Sequence, residues 1–362
     1  MMARGAGVRP HVNGVFRGSQ MAAIATDRWT AWDRFLEATP DTGFMQASWW
    51  ADFRATSGYE HFGVTLKARN EVIGGAVVMK FSPTPESRFY YVPEGPVLPA
   101  DESTAGQVFG AILDAVEARR AAEAQTVSHL RLEPRWQHLP GFVRGFRAVP
   151  ALTDPFTEPR DTLCIDLRPS EADILAQMKP KGRYNIRVAQ RHGVSVVEDA
   201  SAQGVAEFQK IYDVMATRQG IRAKPPEYFQ TLVSLLSSLH QGSVFFAEYQ
   251  GRRFAAAVVV YFGRRATYFF GASLESHRHV MAPYLLHFQI MRRAKALGHE
   301  WYDLWGTAPE GEADHPWHSI SVFKRKFGGV PLDLVPTLDY VYDGASYDEY
   351  LVTEGTAPVH LP

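Results

Sequence analysis

The sequence is short of cysteine, of long apolar runs and of net charge, and each shortage excludes something. Cys164 is alone, so no disulfide framework can form, and a single thiol fits a reducing cytoplasm. It lies inside the apolar run TLCIDL, where a buried strand residue is the better reading than a nucleophile. No window approaches the roughly 18 apolar residues of a membrane span. The basic N-terminal segment lacks the apolar stretch of a signal peptide. The expectation is a soluble, cytoplasmic protein with no integral membrane segment. A formal net charge of −1 argues against a surface that grips DNA or anionic membrane all over, so any polyanion must meet a local patch. Metal ligands are also missing: Pro316 between His315 and His318 opposes the helix that would align them, and no third ligand accompanies them. His277 and His279 read as polar loop residues. No metal is expected, and no Ser, His and Asp constellation stands out.

What is present is a repeated pattern. With 362 residues, 46% of them hydrophobic, the chain can build two domains. The apolar strand VIGGAVVMKF (72–81) and the aromatic strand RFYYVPEGPVL (88–98) precede a helix near 103–122 and a strand SHLRLEP (128–134). The same order returns in FAAAVVVYF (254–262), ATYFFGAS (266–273), a helix over 282–298 and WYDLWG (301–306). Such duplication predicts an α/β protein with α+β mixed sheets. The loop PALTDPFTEPRDT (150–162) is the expected boundary. The domains are drawn as 25–155 and 156–334, with 335–362 returning to the first and 1–24 a candidate disordered extension.

A second feature is the stretch MKPKGRYNIRVAQRHGVSV, which holds Lys179, Lys181, Arg183, Arg187 and Arg191 and no acid. Ser170 reads as the N-cap of a preceding helix, which Pro180 interrupts; a new helix is expected from about Gly182 to a Gly193 C-cap. Helix N-termini favour anions, so a cationic start predicts an anionic ligand.

The second copy resembles the GNAT acyltransferase unit, whose glycine-rich loop holds the pyrophosphate of coenzyme A. The corresponding loop here, LESHRHVMAPYLL, has no glycine, and Pro283 offers no N–H. KPKGRYNIRVAQRHGV, with YFFGAS, YDLWG, VFKRKFGG, FMQASWWADFR and YYVPEGPV, resembles the FemABX family from about residue 30 to 340. That resemblance implies two tandem GNAT-like domains of the compact type without a helical hairpin. It also implies transfer of an amino acid from aminoacyl-tRNA, the co-substrate, to an amine of a UDP-linked or lipid-linked muropeptide precursor, with no tightly bound cofactor. By the same resemblance Lys324 stabilises charge at the reacting ester, and Arg183 with Lys181 holds the precursor diphosphate. Arg54 stands where the family has a phosphate-binding lysine, Tyr91 and Tyr268 line the precursor groove, and Arg325 and Lys326 meet the tRNA. Asp303 is expected to orient a cation or cap a turn. Two rival readings remain at this point: an acyl-CoA-dependent N-acyltransferase, and a non-catalytic module for nucleotide sugars or polysaccharide assembly.

Overall fold

The structure, a computed structural model, describes residues 22–25, 29–82, 87–149 and 158–354. Of the expected N-terminal extension, residues 1–21 lie outside that set, whereas Ala22–Ala25 form strand β1 by pairing with β2. Residues 150–157 of the expected boundary loop also lie outside it.

The first half runs β1, α1 (Trp29–Ala38), α2 (Ser48–Ala55), β2 (Glu60–Ala68), β3 (Glu71–Phe81), β4 (Ser87–Pro93), α3 (Glu102–Ala121), β5 (Thr126–Glu133) and β6 (Arg147–Ala148). The second runs β7 (Asp161–Asp166), α4 (Glu171–Gln177), α5 (Pro180–Arg191), β8 (Ser195–Glu198), α6 (Ala202–Gln219), α7 (Pro226–Ser238), β9 (Gly242–Tyr249), β10 (Arg252–Phe262), β11 (Arg265–Ser273), α8 (Ala282–Ala296), β12 (Trp301–Gly306), α9 (His318–Lys324) and β13 (Val330–Asp333). The chain then returns with β14 (Leu338–Val341) and α10 (Gly344–Glu354). Two seven-stranded sheets result, in the orders β1-β2-β3-β4-β5-β14-β6 and β13-β7-β12-β11-β10-β9-β8. Each is mixed, with one parallel pair, β4–β5 or β11–β12.

The period of two explains the layering. Along β10, Ala256, Val258, Val260 and Phe262 join one core cluster, while Ala255, Ala257, Val259 and Tyr261 join another, so both faces are covered. The first of these clusters also holds Trp32, Trp50 and Phe53 of the first half. Phe44 meets Phe269 at 5.0 Å and Phe53 meets Tyr228 at 5.0 Å, both edge to face, so one aromatic core joins the halves. In the returning segment, buried Asp339 pairs with Arg131 of β5 at 2.7 Å, and Tyr347 and Tyr350 are buried.

Local signals act as expected where they are local. Ser170 Oγ accepts from the backbone N–H of Asp173 and caps α4. Pro180 occupies the first turn of α5, which therefore starts two residues before the expected Gly182, because proline is compatible with a position whose N–H needs no helical partner. Cys164 is buried in β7, and burial pushes its thiol up to about 12.

Candidate active site

The site grows from a place where two strands part. Strands β11 and β12 pair in parallel at Arg265↔Trp301, Ala266↔Tyr302 and Thr267↔Asp303, and the pairing ends there. Opposite β10, the register shifts so that Val259 faces Tyr268 and Val258 faces Phe270, leaving Phe269 as an extra residue. Such a bulge bends the strand. On the other side Trp305 adopts φ 60°, turning the end of β12. A cavity of about 570 Å³ opens between the diverging ends, lined by Tyr268, Gly271, His287, Trp305, Gly306 and Lys324 among others. A Cβ at Gly271 would collide with the Tyr268 hydroxyl, so the glycine makes room for it.

Lys324, at the end of α9, reaches this cavity although it is only 6% exposed, and its Nζ donates to the Gly306 carbonyl at 2.6 Å. Burial pushes the Lys324 ammonium down to about 7, with Asp303 acting the other way. Its Nζ lies 5.8 Å from the centre of the Tyr268 ring. Beneath them His287 Nδ1 pairs with the Tyr302 hydroxyl at 2.8 Å, and burial, aided by Lys324, holds its imidazole down at about 3. His287 is therefore neutral and leaves Lys324 as the cation at this point.

The strand end behind Lys324 is fixed by a buried network that crosses the halves. Asp303, fully buried, accepts from the Thr162 hydroxyl and, at 2.9 Å, from the Trp305 backbone N–H. Arg135 bridges Asp303 at 3.5 Å and Glu94 at 2.9 Å, and Arg265 approaches Asp303 at 3.8 Å. Asp303 thus both orients cations and braces a turn, the two roles expected for it.

A second cationic group lies elsewhere between the halves. Arg54, at the end of α2, stacks over Tyr59, 4.4 Å from its ring centre, and its charge acts on the nearby Tyr228 hydroxyl. Burial, then Arg54, lowers the Lys224 ammonium, with Arg222 contributing and Glu158 opposing. The Glu158 carboxyl is itself raised to about 7 by burial. Arg54 was named from the sequence; its neighbours Lys224, Tyr228 and Arg222 were not. The signal was there in IRAKPPEY, cations beside a proline-started helix, as in KPKGRY.

The remaining expected residues sit otherwise. Arg183 donates through one guanidinium nitrogen to the carbonyls of Met178 and Ala176 and so caps the C-terminus of α4. Lys181 is exposed and lines no part of the cavity. Tyr91 is buried, its hydroxyl donating to Glu133, a core residue rather than a groove wall. Arg325 donates to the Ala308 carbonyl, and the Lys326 carbonyl accepts from the Lys179 backbone N–H at 3.1 Å. A Cβ at Gly182 would collide with that same carbonyl, so the two basic motifs pack directly on each other.

Nor does the start of α8 offer a pyrophosphate cradle. His277 and Met281 take the left-handed conformation that glycine usually supplies, Pro283 has no N–H, and the Tyr284 N–H is bound to the Met281 carbonyl at 3.0 Å. Among the described residues no cluster of three His, Cys, Asp or Glu could hold a metal, and no helix is long and apolar enough to cross a membrane.

Comparison with known proteins agrees with this geometry half by half. Residues 29–138 match the FemAB family, and residues 180–317 match the acetyltransferase (GNAT) domain. A UDP-N-acetylmuramoylpentapeptide-lysine N(6)-alanyltransferase from Weissella viridescens is 26% identical over 332 residues, covering 88% of this chain and 95% of that protein. A lipid II:glycine glycyltransferase from Staphylococcus haemolyticus (strain JCSC1435) is 18% identical over 392 residues, covering 87% and 92%. The crystal structure of FemX superposes with a TM-score of 0.80 at 17% identity, over 92% of this chain and all of that one (100%), which establishes the shared fold. With two GNAT-like halves, a cleft in the second and these relatives along most of its length, the chain is an acyltransferase related to the FemABX family.

Proposed function

We propose that this protein moves an aminoacyl group from the 3′ end of a tRNA to an amine on the peptide of a peptidoglycan precursor, in the cytoplasm. The observation that carries the reading is Lys324: a buried cation in an otherwise acid-free cavity, beside an open strand seam, in a fold whose curated relatives are named for this chemistry. The ester is already activated, so the protein must mainly position it and stabilise the oxyanion. The neutral amine attacks the ester carbonyl and the C–N bond forms. Negative charge develops on the carbonyl oxygen, where Lys324, held by the Gly306 carbonyl, supplies a positive charge with little reorganisation. Collapse breaks the C–O bond, and the amine proton leaves with the ribose oxygen. The Tyr268 ring, its centre 5.8 Å from the Lys324 ammonium, lines the same cavity and brings its hydroxyl there as a further donor.

Arg54, Lys224 and Tyr228 suit a diphosphate on the acceptor, since the cations Arg54, Lys224 and Arg222 gather here beside the Glu158 carboxyl. This group joins Arg183 as a candidate for that role. Acyl-CoA is disfavoured as donor by the blocked start of α8. The test is single-turnover transfer of a labelled aminoacyl group from tRNA to a UDP-linked or lipid-linked muropeptide, beside calorimetry with coenzyme A. Transfer with no saturable coenzyme A signal is expected. Tight coenzyme A binding with no transfer from any aminoacyl-tRNA would overturn the assignment.

A further inference from the structure

The cations of α5 have no task in the cleft or in the Arg54 group. Lys179, Lys181, Arg187 and Arg191 are exposed, and among the described residues none of them forms an ion pair. Elsewhere in the same half arginines meet carboxylates: Arg168 with Asp166, Arg253 with Asp199, Arg292 with Glu171 and Arg293 with Glu198. The nearest acids before α5 are already engaged, Glu171 by Arg292 and Asp173 by the Ser170 hydroxyl. In a chain of net charge −1 this leaves a local strip of uncompensated positive charge. Tyr184, 56% exposed, stands within it, with the Arg191 guanidinium 5.8 Å from its ring centre. Cations interleaved with an exposed aromatic suit a nucleic acid backbone better than a small anion.

The strip is also mechanically fastened to the catalytic lysine. The Lys179 backbone N–H donates to the Lys326 carbonyl at 3.1 Å, two residues after Lys324. Gly182 permits the close approach of α5 to that carbonyl, and Gly328, at φ 76°, lies directly against the Gln177 carbonyl, where a side chain would collide. A ligand gripped along α5 is thereby held in fixed relation to the cavity.

We propose that the exposed face of α5 docks the acceptor stem of the donor tRNA, with Lys179, Lys181, Arg187 and Arg191 on phosphates while the 3′ end enters the cleft. The inference rests on the aminoacyl-tRNA function proposed for the cleft and adds a surface for the body of the donor. An anionic membrane is the competing partner for such a strip, and a vesicle-binding arm separates the two.

The experiment compares the parent with the triple variant Lys179→Gln, Arg187→Gln, Arg191→Gln. Binding of aminoacyl-tRNA is measured across a salt series, and transfer is measured from whole aminoacyl-tRNA and from an aminoacylated CCA trinucleotide that lacks the stem. Each phosphate contact contributes about 0.9 to the slope of log affinity against log salt, so the variant's slope is expected to fall by about 2 to 3. Its KM for whole tRNA rises about tenfold or more, while kcat and transfer from the trinucleotide stay at the parent's level. An unchanged slope and KM would overturn the proposal. So would loss of binding to phosphatidylglycerol vesicles with tRNA binding intact, which would assign the strip to membrane. A parent that transfers from the trinucleotide but binds no tRNA stem sinks this inference alone; a parent that transfers from neither donor sinks the donor reading.

Discussion

Strands β4 and β5 in the first half and β11 and β12 in the second occupy matching places in their sheets. Each is a parallel pair between an antiparallel hairpin partner and an antiparallel strand from a distant part of the chain, β14 in one case and β7 in the other. In the first half the pair runs from Ser87↔Thr126 to Pro93↔Glu133. In the second it stops after three residue pairs, at Thr267↔Asp303. Tyr91 and Tyr268 register the difference: Tyr91 donates to Glu133 across the closed seam, whereas Tyr268 stands in the open one beside Lys324. One scaffold used twice thus becomes in one copy a sealed wall and in the other an open cleft that holds Lys324. The change lies in a bulge at Phe269, a left-handed Trp305 and a buried acid that braces it.

The strongest way to break this difference is to release the brace. Asp303→Asn leaves Arg135 and Arg265 without their shared carboxylate, and loss of a buried partner typically costs ~3–5 kcal/mol. Chemical denaturation should show a loss of that order, with transfer activity falling alongside as the end of β12 relaxes. Next, Tyr91→Phe leaves buried Glu133 short of a donor, at a cost of about 1–3 kcal/mol. Its unfolding midpoint should fall while kcat stays within about threefold of the parent, because Tyr91 only seals. Tyr268→Phe should do the reverse, lowering kcat about tenfold with little change in stability, if its hydroxyl serves the developing charge. Equal behaviour of the two tyrosine variants would erase the contrast between the seams.

A subtler effect is the pH dependence of Lys324. Its folded pKa, about 7, lies below the ordinary lysine value of 10.5, so the cost of burying its charge is full below pH 7 and fades as pH rises toward 10.5. Lys324→Met should therefore stabilise the fold more at pH 6 than at pH 9, as read by thermal unfolding. The same titration bears on catalysis with the opposite consequence. The cation proposed to stabilise the oxyanion is lost as pH rises through about 7. Transfer rates corrected for the fraction of neutral acceptor amine should decline through that range.

How much of this was legible depended on whether the cause was local. The apolar run of β10 reads as a central strand because both of its faces are buried, and Ser170 reads as a cap because its partner is three residues away. The aminoacyl chemistry and the Lys324 motif were also visible, as a resemblance. The capping contact of Arg183 was not legible because its carbonyl partners come together only when α4 ends against α5. Lys224 and Tyr228 were missed because Arg54, which gives them meaning, comes from the other half of the chain. The left-handed Trp305 carries no glycine to announce it; its backbone is held by Asp303.

The most direct test of the account is single-turnover aminoacyl transfer by Lys324→Ala and Tyr91→Phe, measured side by side on folded protein with the donor and acceptor that the parent uses. Removing one oxyanion donor typically costs about 10²–10³ in rate, so Lys324→Ala should lose that much while Tyr91→Phe remains near the parent. A Lys324→Ala variant that transfers at the parent's rate, or losses of equal size in both, would contradict the claim that chemistry resides in the open seam of the second half.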